Sequence, residues 1–374
     1  MKILKILLVA VLLVGCQHSS SSPKTKDENK VSFLAVGDNI MHEQLLKMAK
    51  QDDTYDFLPY YQNIKSYIQD ADVSFVNQET ILGGRSLGYS GYPLFNTPDE
   101  MAETLHEVGF DVVNGSTNHA FDMNEKGVDH SIHVFKKLSD MKYIGLYQSE
   151  EEQQDIPVIE KNGIRIAFLS YNQYINYDKK PQSFRYNSFD KEQIKEDVNR
   201  ARKVSDVIIA SCHWGKEYDA QPNDFQKEYA QYLSDLGVDV IIGTHTHTLQ
   251  SVEWIKGKNG NQTLVAYSLG NFISGMIEEE TQLGGMLSFD LVKEGDQVSI
   301  DNVTLTPLMN HYYAENQKDI IGTRYGFTVY RLKDYTQDFA DKHGLNGYQN
   351  ITISVEKMKS KVKGIISSDI SIDM

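Results

Sequence analysis

From Val31 onward, short runs rich in β-branched residues alternate with longer stretches whose apolar residues recur every three or four positions. The short runs suit strands, and the recurring spacing places the apolar residues of the longer stretches on one face of a helix. Strands and helices that alternate in this way form layered α/β folds, in which helices cover a sheet. The predicted strands are 31–36, 73–77, 111–114, 164–170, 207–211, 238–242 and 264–269, and the predicted helices are 98–108, 125–138, 191–203 and 224–236.

The pattern changes after Phe272. Residues 284–292 and 298–305 are typical of two antiparallel strands joined by a polar turn. Beyond them the chain is rich in Tyr, Lys and Asp, and its periodicity is weak. We therefore expect a folded domain at 31–308 and a peripheral C-terminal extension at 309–374, to which the sequence assigns no chemistry.

The first 30 residues differ from the rest of the chain. Two lysines precede an unbroken apolar run at 6–14. This run is too short to cross the ~30 Å of a bilayer core, so it predicts a secretory signal. Because the segment before Cys16 resembles a bacterial lipobox, we expect a lipoprotein signal peptide at 1–16, an acylated Cys16 and a flexible tether at 17–30. The alternatives are an uncleaved anchor and simple secretion. The expected location is the extracytoplasmic face of the bacterial cell membrane, with the protein anchored by lipid.

Composition argues against a nucleic-acid partner and against an intramolecular disulfide. The formal net charge is -15, and no basic stripe runs along the sequence, which argues against a nucleic-acid partner. There are two cysteines, so once Cys16 carries lipid, Cys212 has no partner and no intramolecular disulfide can form. The stability of the fold then depends on its apolar core.

The predicted strand 238–242 is followed directly by Gly243 and then by His245 and His247. On an extended segment side chains alternate with period two, so the two imidazoles would leave the backbone on the same side. The glycine would let the backbone turn as it leaves the sheet. Imidazole is the commonest protein ligand of metal ions, so the pair predicts a metal site. The alternative is a surface loop that carries two titrating histidines.

Four other predicted strands also end next to polar side chains: Asp38, Glu79, Asn118 and His213. Active-site groups of open α/β sheets gather at this edge. Each residue alone has a structural explanation, as a helix cap, a turn residue or a core histidine. Together with His245 and His247, they supply enough oxygen and nitrogen donors for two metal ions bridged by a carboxylate.

An ordered set of motifs connects these residues to a known family. The set consists of Gly37-Asp38-x-x-Met41, Asn77-x-Glu79, Asn118-His119-x-x-Asp122, His213-Trp214-Gly215-x-Glu217-Tyr218, Gly243-x-His245-x-His247 and Ser268-Leu269-Gly270-Asn271-Phe272. In this order they resemble the CapA family of poly-γ-glutamate capsule biosynthesis proteins, which is similar in fold to the calcineurin-like metallophosphoesterases. The resemblance implies a four-layer α-β-β-α sandwich. Two motifs depart from the family. Thr117 replaces the first Asn of its usual Asn-Asn-His, and Thr244 and Thr246 replace the first His and the Pro of its common His-His-Pro-His. Glu79 stands where the phosphoesterases use a bridging Asp.

Carried over residue by residue, the resemblance implies six metal ligands: Asp38, Glu79, Asn118, His213, His245 and His247. Glu79 would bridge two divalent ions, which would be manganese, iron or zinc. His119 would act as the general acid or would stabilise charge on the leaving oxygen, and Asp122 would orient it. His42, Glu217 and Asn271 are further candidates for contact with the ligands or the substrate.

Arg85 lies in a loop rich in glycine and tyrosine, between the second motif and the next predicted helix. Such a loop could form a mobile rim over a substrate cleft, where Arg85 would meet an anionic group. A surface loop without a role is the alternative.

The resemblance therefore implies a lipid-anchored extracytoplasmic protein of poly-γ-glutamate capsule biosynthesis or export. The residues indicate metal-assisted hydrolysis, with a phosphate ester as the favoured substrate. Expected partners are the anionic polymer or a phosphoester, the membrane subunits of the capsule synthase, and the membrane itself. Two alternatives remain open. One is a non-catalytic, metal-stabilised scaffold or polymer-binding subunit, and the other is a hydrolase or transferase that acts on γ-glutamyl amide bonds.

Overall fold

The computed structural model describes residues 29–317 and 319–374. The predicted signal peptide 1–16 with Cys16, and the tether as far as residue 28, lie outside the described residues. Within the described part of the chain, no helix combines the length and the apolar character needed to span a bilayer.

The described strands are β1 (Lys30–Asn39), β2 (Lys50–Gln51), β3 (Thr54–Tyr55), β4 (Val73–Gln78), β5 (Val112–Asn114), β6 (Lys142–Ile144), β7 (Val158–Lys161), β8 (Ile164–Asn172), β9 (Val207–His213), β10 (Val240–Thr244), β11 (Val252–Lys256), β12 (Gln262–Ala266), β13 (Asn271–Ile273), β14 (Leu283–Glu294), β15 (Gln297–Ala314), β16 (Arg324–Arg331) and β17 (Ser371–Ile372). Each predicted strand overlaps one of these.

The described α-helices are α1 (Glu43–Ala49), α2 (Lys65–Gln69), α3 (Glu100–Val108), α4 (Asn124–Phe135), α5 (Glu150–Gln154), α6 (Lys191–Val204), α7 (Asp224–Leu236), α8 (Ile320–Thr323), α9 (Gln337–Asp341) and α10 (Val355–Ile365). The four predicted helices correspond to α3, α4, α6 and α7. At the start of α7, Asn223 accepts a hydrogen bond from the Gln226 backbone, and the Gln226 side chain accepts one from the Asn223 backbone. This capping box fixes where the helix begins.

Two sheets form the centre of the molecule. The nine-stranded sheet has the order β16-β15-β14-β1-β4-β5-β6, with β13 beside β1 and β17 beside β15. Its strands β1, β4, β5 and β6 are parallel, while β14, β15 and β16 add an antiparallel edge. The six-stranded sheet has the order β11-β12-β10-β9-β8-β7 and is parallel except at its two outer strands.

The alternating directions of apolar side chains along the strands explain why the two sheets are stacked. On β8, Phe168 faces the other sheet, and its ring lies 6.3 Å from that of Phe33 on β1. The next residue, Leu169, belongs to a second apolar cluster with Ile194 of α6 and Leu233 of α7. Because side chains of a strand point alternately to the two faces, one sheet can pack against a sheet and against helices at once. On the far side of the nine-stranded sheet, α3 packs through buried Met101. The result is the expected α-β-β-α sandwich.

The C-terminal segment is an integral part of this sandwich rather than a peripheral extension. The boundary expected between residues 308 and 309 falls inside β15, whose pairing with β16 continues from Leu308 to Ala314. Tyr312 on this strand is fully buried in the main core. The segment looked weakly patterned because Asn310, His311 and Tyr312 are buried in succession on β15, and because buried Arg324 begins β16.

Candidate metal centre

The six predicted ligands all lie at one edge of the stacked sheets. They belong to β1 or β9, or lie one to four residues after the end of β4, β5 or β10, and all are at most 4% exposed: Asp38, Glu79, Asn118, His213, His245 and His247. The carboxyl ends of parallel strands meet at a common edge, which brings residues distant in sequence together. Polar side chains at such burial need partners or ions to offset their lost hydration.

Asp38, Glu79 and His247 form one group. Each offers a ligand atom, and these atoms lie within 4.8 Å of one another. The Nδ1 atom of His247 is 3.4 Å from Oδ2 of Asp38, and its Nε2 atom is 3.6 Å from Oε1 of Glu79. Two carboxylates and one imidazole are a donor set that suits manganese, iron or zinc.

Asn118, His213 and His245 form a second group. The Nε2 atom of His213 lies 2.9 Å from Oδ1 of Asn118 and 3.1 Å from Nδ1 of His245. On its other side, Nδ1 of His213 lies 3.0 Å from the hydroxyl of Thr244. A proton on Nδ1, donated to Thr244, leaves Nε2 as a lone pair aimed at the other two ligand atoms.

The backbone that carries His245 and His247 differs from the expectation. Neither residue is extended, since φ is 95° at His245 and 61° at His247. The two side chains therefore reach the site through a loop with left-handed backbone, and not through the alternation of a strand. Such a conformation is uncommon for a residue with a Cβ atom, and strained examples cluster at functional sites.

Gly243 does not provide the turn that its position suggested, because its role is close packing. A Cβ atom at this position would lie 1.9 Å from the carbonyl oxygen of Tyr267. The same holds at Gly37, where a Cβ atom would lie 1.9 Å from the carbonyl oxygen of Gly270. The absence of a side chain thus allows neighbouring strand ends to approach closely.

The close approach at Gly37 sets the position of Asp38. At the end of β1, the pairing partner changes from β14 to β13, so that Asp38 stands opposite Asn271. Asn77 donates to Oδ1 of Asp38 at 2.7 Å, and the backbone N–H of His245 donates to Oδ2 at 3.2 Å. The carboxylate is held on both oxygens, so its orientation is fixed before anything binds.

Asn271, a further candidate, contacts a predicted ligand directly. Its Oδ1 atom lies 3.1 Å from Nδ1 of His247, while its Nδ2 atom donates to Ser274 and to the carbonyl oxygen of Thr281. With its amide nitrogen committed to those two acceptors, Asn271 presents its oxygen to His247. That contact favours a proton on Nδ1 and leaves Nε2 free to coordinate.

Burial keeps two of the imidazoles neutral. Burial and the neighbouring histidines lower the pKa of His213 well below its usual value. The same causes, burial first and then His247 and His119, lower the pKa of His245 to about 3. The neutral imidazole is the form that coordinates metal, so both side chains are ready to bind at neutral pH.

The carboxylate side of the centre keeps its proton on His247. Burial lowers the pKa of His247, but the charges of Glu79 and Asp38 outweigh it and raise that pKa to about 9. A bound cation would replace this proton as the source of positive charge beside the carboxylates.

One carboxylate oxygen of Glu79 indicates whether a metal ion fits at this centre. Its Oε2 atom is buried and has no hydrogen-bond partner among the described residues. A buried carboxylate oxygen without a partner is costly and calls for a cation or a water molecule. Glu79 is also the residue that the resemblance implies as a bridging ligand. The residues of its group therefore fit a divalent metal ion.

His119 and Asp122 form a separate buried pair beside the ligands. Oδ2 of Asp122 lies 2.7 Å from Nδ1 of His119 and also accepts a hydrogen bond from the backbone N–H of Phe95. The Phe95 ring packs edge-on against the imidazole, with the ring centres 4.6 Å apart. The pair has the geometry of a histidine held by a carboxylate, which is the arrangement that the resemblance implies.

A cavity of about 650 Å³ opens onto the centre. Glu79 and His247 lie in its wall with His119, and the candidates His42 and Glu217 line it as well. His42 accepts a hydrogen bond from the backbone N–H of Gly275 at 3.1 Å, and burial, with the charge of Arg324 next, lowers its pKa to about 3. The cavity is large enough for a drug-sized ligand.

Arg85 does not line this cavity. Its guanidinium donates to the carbonyl oxygen of Asp53 and is hydrogen-bonded to Tyr89. The arginine that does line the cavity is Arg324, at the start of β16. Sequence analysis missed it because it lies in the segment to which no chemistry was assigned. An arginine between small and aromatic residues gives no signal that it is buried.

Comparisons with known proteins place the chain in context. The family model described as "Bacterial capsule synthesis protein PGA_cap" matches residues 32–276. The "PGA biosynthesis protein CapA" of Bacillus subtilis is 27% identical over 323 residues, which cover 84% of this chain and 83% of that protein. The "Capsule biosynthesis protein CapA" of Bacillus anthracis is 25% identical over 309 residues, which cover 79% of this chain and 72% of that protein.

Solved structures also resemble this chain. The calcineurin-like phosphoesterase YfkN from Bacillus subtilis is 15% identical with a TM-score of 0.45, and the match covers 90% of this chain and 96% of that one. A hypothetical protein from Thermus thermophilus is also 15% identical, with a TM-score of 0.43 and coverage of 74% and 99%.

Proposed function

This chain belongs to the bacterial capsule synthesis protein family, and from that premise we propose that it acts in poly-γ-glutamate biosynthesis or export as a metal-dependent hydrolase. The favoured reaction is hydrolysis of a phosphate ester. The relatives that share most of its length carry names of capsule biosynthesis. Membership of the family supports the role in capsule synthesis. The residues of the candidate metal centre support the reaction.

The observation that carries the reaction is the convergence of six buried candidate ligands at one edge of the sheets, two of which, Glu79 and His247, line a cavity. Asp38, Glu79 and His247 offer one set of donors, and Asn118, His213 and His245 offer another. Glu79 keeps one oxygen without a partner among the described residues. When bound, divalent manganese, iron or zinc would lower the pKa of a water molecule from ~15.7 toward ~7 and would polarise a phosphoryl oxygen.

The chain's own residues supply orientation and proton transfer. Nδ1 of His119 is held by Asp122, so the opposite nitrogen, Nε2, is the one that can meet a leaving oxygen. Phe95 covers one side of the imidazole, and its backbone fixes the Asp122 carboxylate. We propose that His119 donates a proton to the leaving group, and that Asp122 holds its ring and stabilises its charge.

The reaction is tested on the full chain without its signal, loaded with manganese, iron or zinc in turn. Bis-p-nitrophenyl phosphate, p-nitrophenyl phosphate and a γ-glutamyl oligomer serve as substrates. We expect turnover of at least one phosphate ester, and an Asn118→Ala variant should lose it. Turnover of the γ-glutamyl oligomer alone would identify an amide hydrolase or transferase. Metal binding without any turnover would favour a non-catalytic subunit that holds the polymer or its synthase.

Attachment to the membrane is a separate proposal that rests on the sequence around Cys16. Acylation of this residue would hold the enzyme at the extracytoplasmic face of the membrane, close to the membrane subunits of the capsule synthase. Fractionation of cells that express Cys16→Ala tests it, since the variant should leave the membrane fraction. Retention of the variant would mean that the apolar run itself is the anchor.

A further inference from the structure

Arg324 is a buried cation that forms no ion pair with the described residues. It is 5% exposed, and none of the described carboxylates pairs with its guanidinium. In a chain with a net charge of -15, an arginine that lacks a carboxylate partner is unusual, because buried charges are normally paired. Its Nε–H is buried without an acceptor in the described residues, so its hydrogen-bonding capacity is only partly used.

The surroundings hold the guanidinium rigidly in the cavity wall. Nη1 donates to the carbonyl oxygens of Gly275 and, at 3.5 Å, of Met276. The charged group also lies 5.2 Å from the ring centre of Tyr312 and 5.7 Å from that of Phe327. Backbone carbonyls and aromatic rings stabilise a cation without neutralising it. The positive charge therefore remains available to a ligand.

Gly275 links Arg324 to the metal side of the cavity. Its carbonyl oxygen accepts from Arg324, while its N–H donates to Nδ1 of His42. A Cβ atom at Gly275 would lie 2.8 Å from Cβ of His42, so this connection requires glycine. Arg324, His42 and the ligands Glu79 and His247 line one cavity. A molecule in that cavity can meet the metal ligands and the guanidinium together.

We infer that Arg324 binds a second anionic group of the substrate, at a distance from the group that reacts at the metal centre. This inference rests on the proposed function, because it names what the same cavity recognises. A guanidinium offers a planar fork of donors that matches the oxygens of a carboxylate or a phosphate. A γ-glutamyl chain carries a free carboxylate on each unit, and a phosphorylated substrate would present a phosphate instead.

The charges around the cavity make this assignment specific. Glu43, Glu79, Glu217 and Glu278 also line it, and Lys47 is its other basic side chain apart from the histidines. Lys47 is exposed and lies 3.5 Å from Glu43, so its charge is already opposed. An anion that enters would be repelled by the acids unless it met the metal ions or Arg324. Polyanion binding by this acidic protein would then be confined to one place.

The test is calorimetric titration of the metal-loaded full chain with two probes, a γ-glutamyl pentamer and inorganic phosphate. Arg324→Gln should weaken binding of one of them by about tenfold to ~100-fold, since a hydrogen bond to a charged group contributes about 1.5–3 kcal/mol. Arg324→Lys should weaken it less, because it keeps the charge and loses the fork. Metal content, measured by elemental analysis, should not change in either variant.

Arg331→Gln is the matched control. Arg331 lies in the same strand, but it pairs with Asp334, stacks on the ring of Tyr67 at 3.6 Å and does not line the cavity. We expect its affinity for both probes to equal that of the unaltered chain. Loss of pentamer binding in Arg324→Gln assigns the site to a carboxylate, and loss of phosphate binding assigns it to a phosphate.

Unchanged affinity in a folded, metal-loaded Arg324→Gln variant would overturn the inference. So would a failure of the unaltered chain to bind either probe. If Arg324→Gln does not fold, the affinity of Arg324→Lys for the two probes is measured instead. An affinity equal to that of the unaltered chain would then contradict recognition by the planar donors of the guanidinium. Binding that depends on Arg324 in a chain without hydrolytic activity would overturn the proposed reaction and leave this inference standing.

Discussion

The Nδ1 atom of His119 lies 2.7 Å from the Oδ2 atom of Asp122, in a buried pair beside the candidate ligands. A second pair of the same type lies on the surface, where Nε2 of His106 is 2.9 Å from Oδ2 of Asp140. The two pairs have similar distances and very different surroundings. Comparison of the two pairs therefore tests whether a carboxylate that orients a histidine affects activity only where the histidine faces the cavity.

Asp122→Asn should lower kcat for the phosphate ester by about 100-fold, since general acid catalysis contributes roughly 10²–10⁴-fold. The amide keeps the shape of the carboxylate but favours the wrong tautomer of His119. Metal content should stay the same, which separates this effect from loss of the centre. Asp140→Asn is the control and should leave kcat unchanged. Equal activity of the two variants would contradict a role for Asp122 in orienting His119.

Removal of both loop histidines should empty the metal centre. His245 and His247 belong to different groups of ligands, so the double variant His245→Ala, His247→Ala takes one nitrogen from each. We expect elemental analysis to give one to two equivalents of metal for the unaltered chain and less than about a tenth of that for the variant. His133→Ala, on the exposed side of α4, should keep its metal. Full metal content in the double variant would refute the ligand assignment.

Metal binding should release protons at pH 7. The pKa of His247 is raised to about 9, so its imidazole carries a proton at that pH, whereas coordination requires the neutral form. Because this proton must leave before the metal binds, apparent metal affinity should rise with pH until about pH 9 and then level off. Each released proton should add about tenfold in affinity per pH unit. Calorimetry in two buffers of different ionisation enthalpy measures the number, and identical heats in both buffers would contradict the prediction.

The close approach of β1 to Gly270 should make Gly37 intolerant of a side chain. A methyl group there would lie 1.9 Å from a backbone oxygen that cannot move aside. We expect Gly37→Ala to lower the free energy of unfolding by roughly 3 kcal/mol and to reduce metal content, because Asp38 is the next residue. Gly364→Ala in α10, where nothing lies within 4 Å, should instead raise stability by roughly 0.5–1 kcal/mol. Urea unfolding of both variants gives the comparison.

The sequence was sufficient for most of the sandwich and for placing the candidate ligands at one edge of the sheets. Strands such as β8 and helices such as α7 have strong local patterns, and the ends of parallel strands must meet at one edge. Asp38 and His213 could therefore be grouped although they are far apart in the chain. What local pattern does not contain is backbone geometry, so the positive φ values at His245 and His247 were not foreseen.

The C-terminal segment shows the other limit of sequence reasoning. β16 is recognised only through its hydrogen bonds to β15, and those bonds join residues that no periodicity connects. An arginine is expected on the surface, and Arg85 in a loop looked more suited to an anion than Arg324 did. Burial of Arg324 depends on Tyr312, Phe327 and the carbonyl oxygen of Gly275, which come together only in the folded protein.

The cavity is assembled from two portions of polypeptide that differ in their relation to the family. The segment that matches the family ends at residue 276 and contains every candidate ligand, whereas Arg324 and the strand that carries it lie beyond that limit. A molecule that reached both the candidate ligands and Arg324 would therefore touch polypeptide from inside and from outside the matched segment. Loss of the last strands would remove Arg324 and would also expose the core that Tyr312 and Phe327 fill.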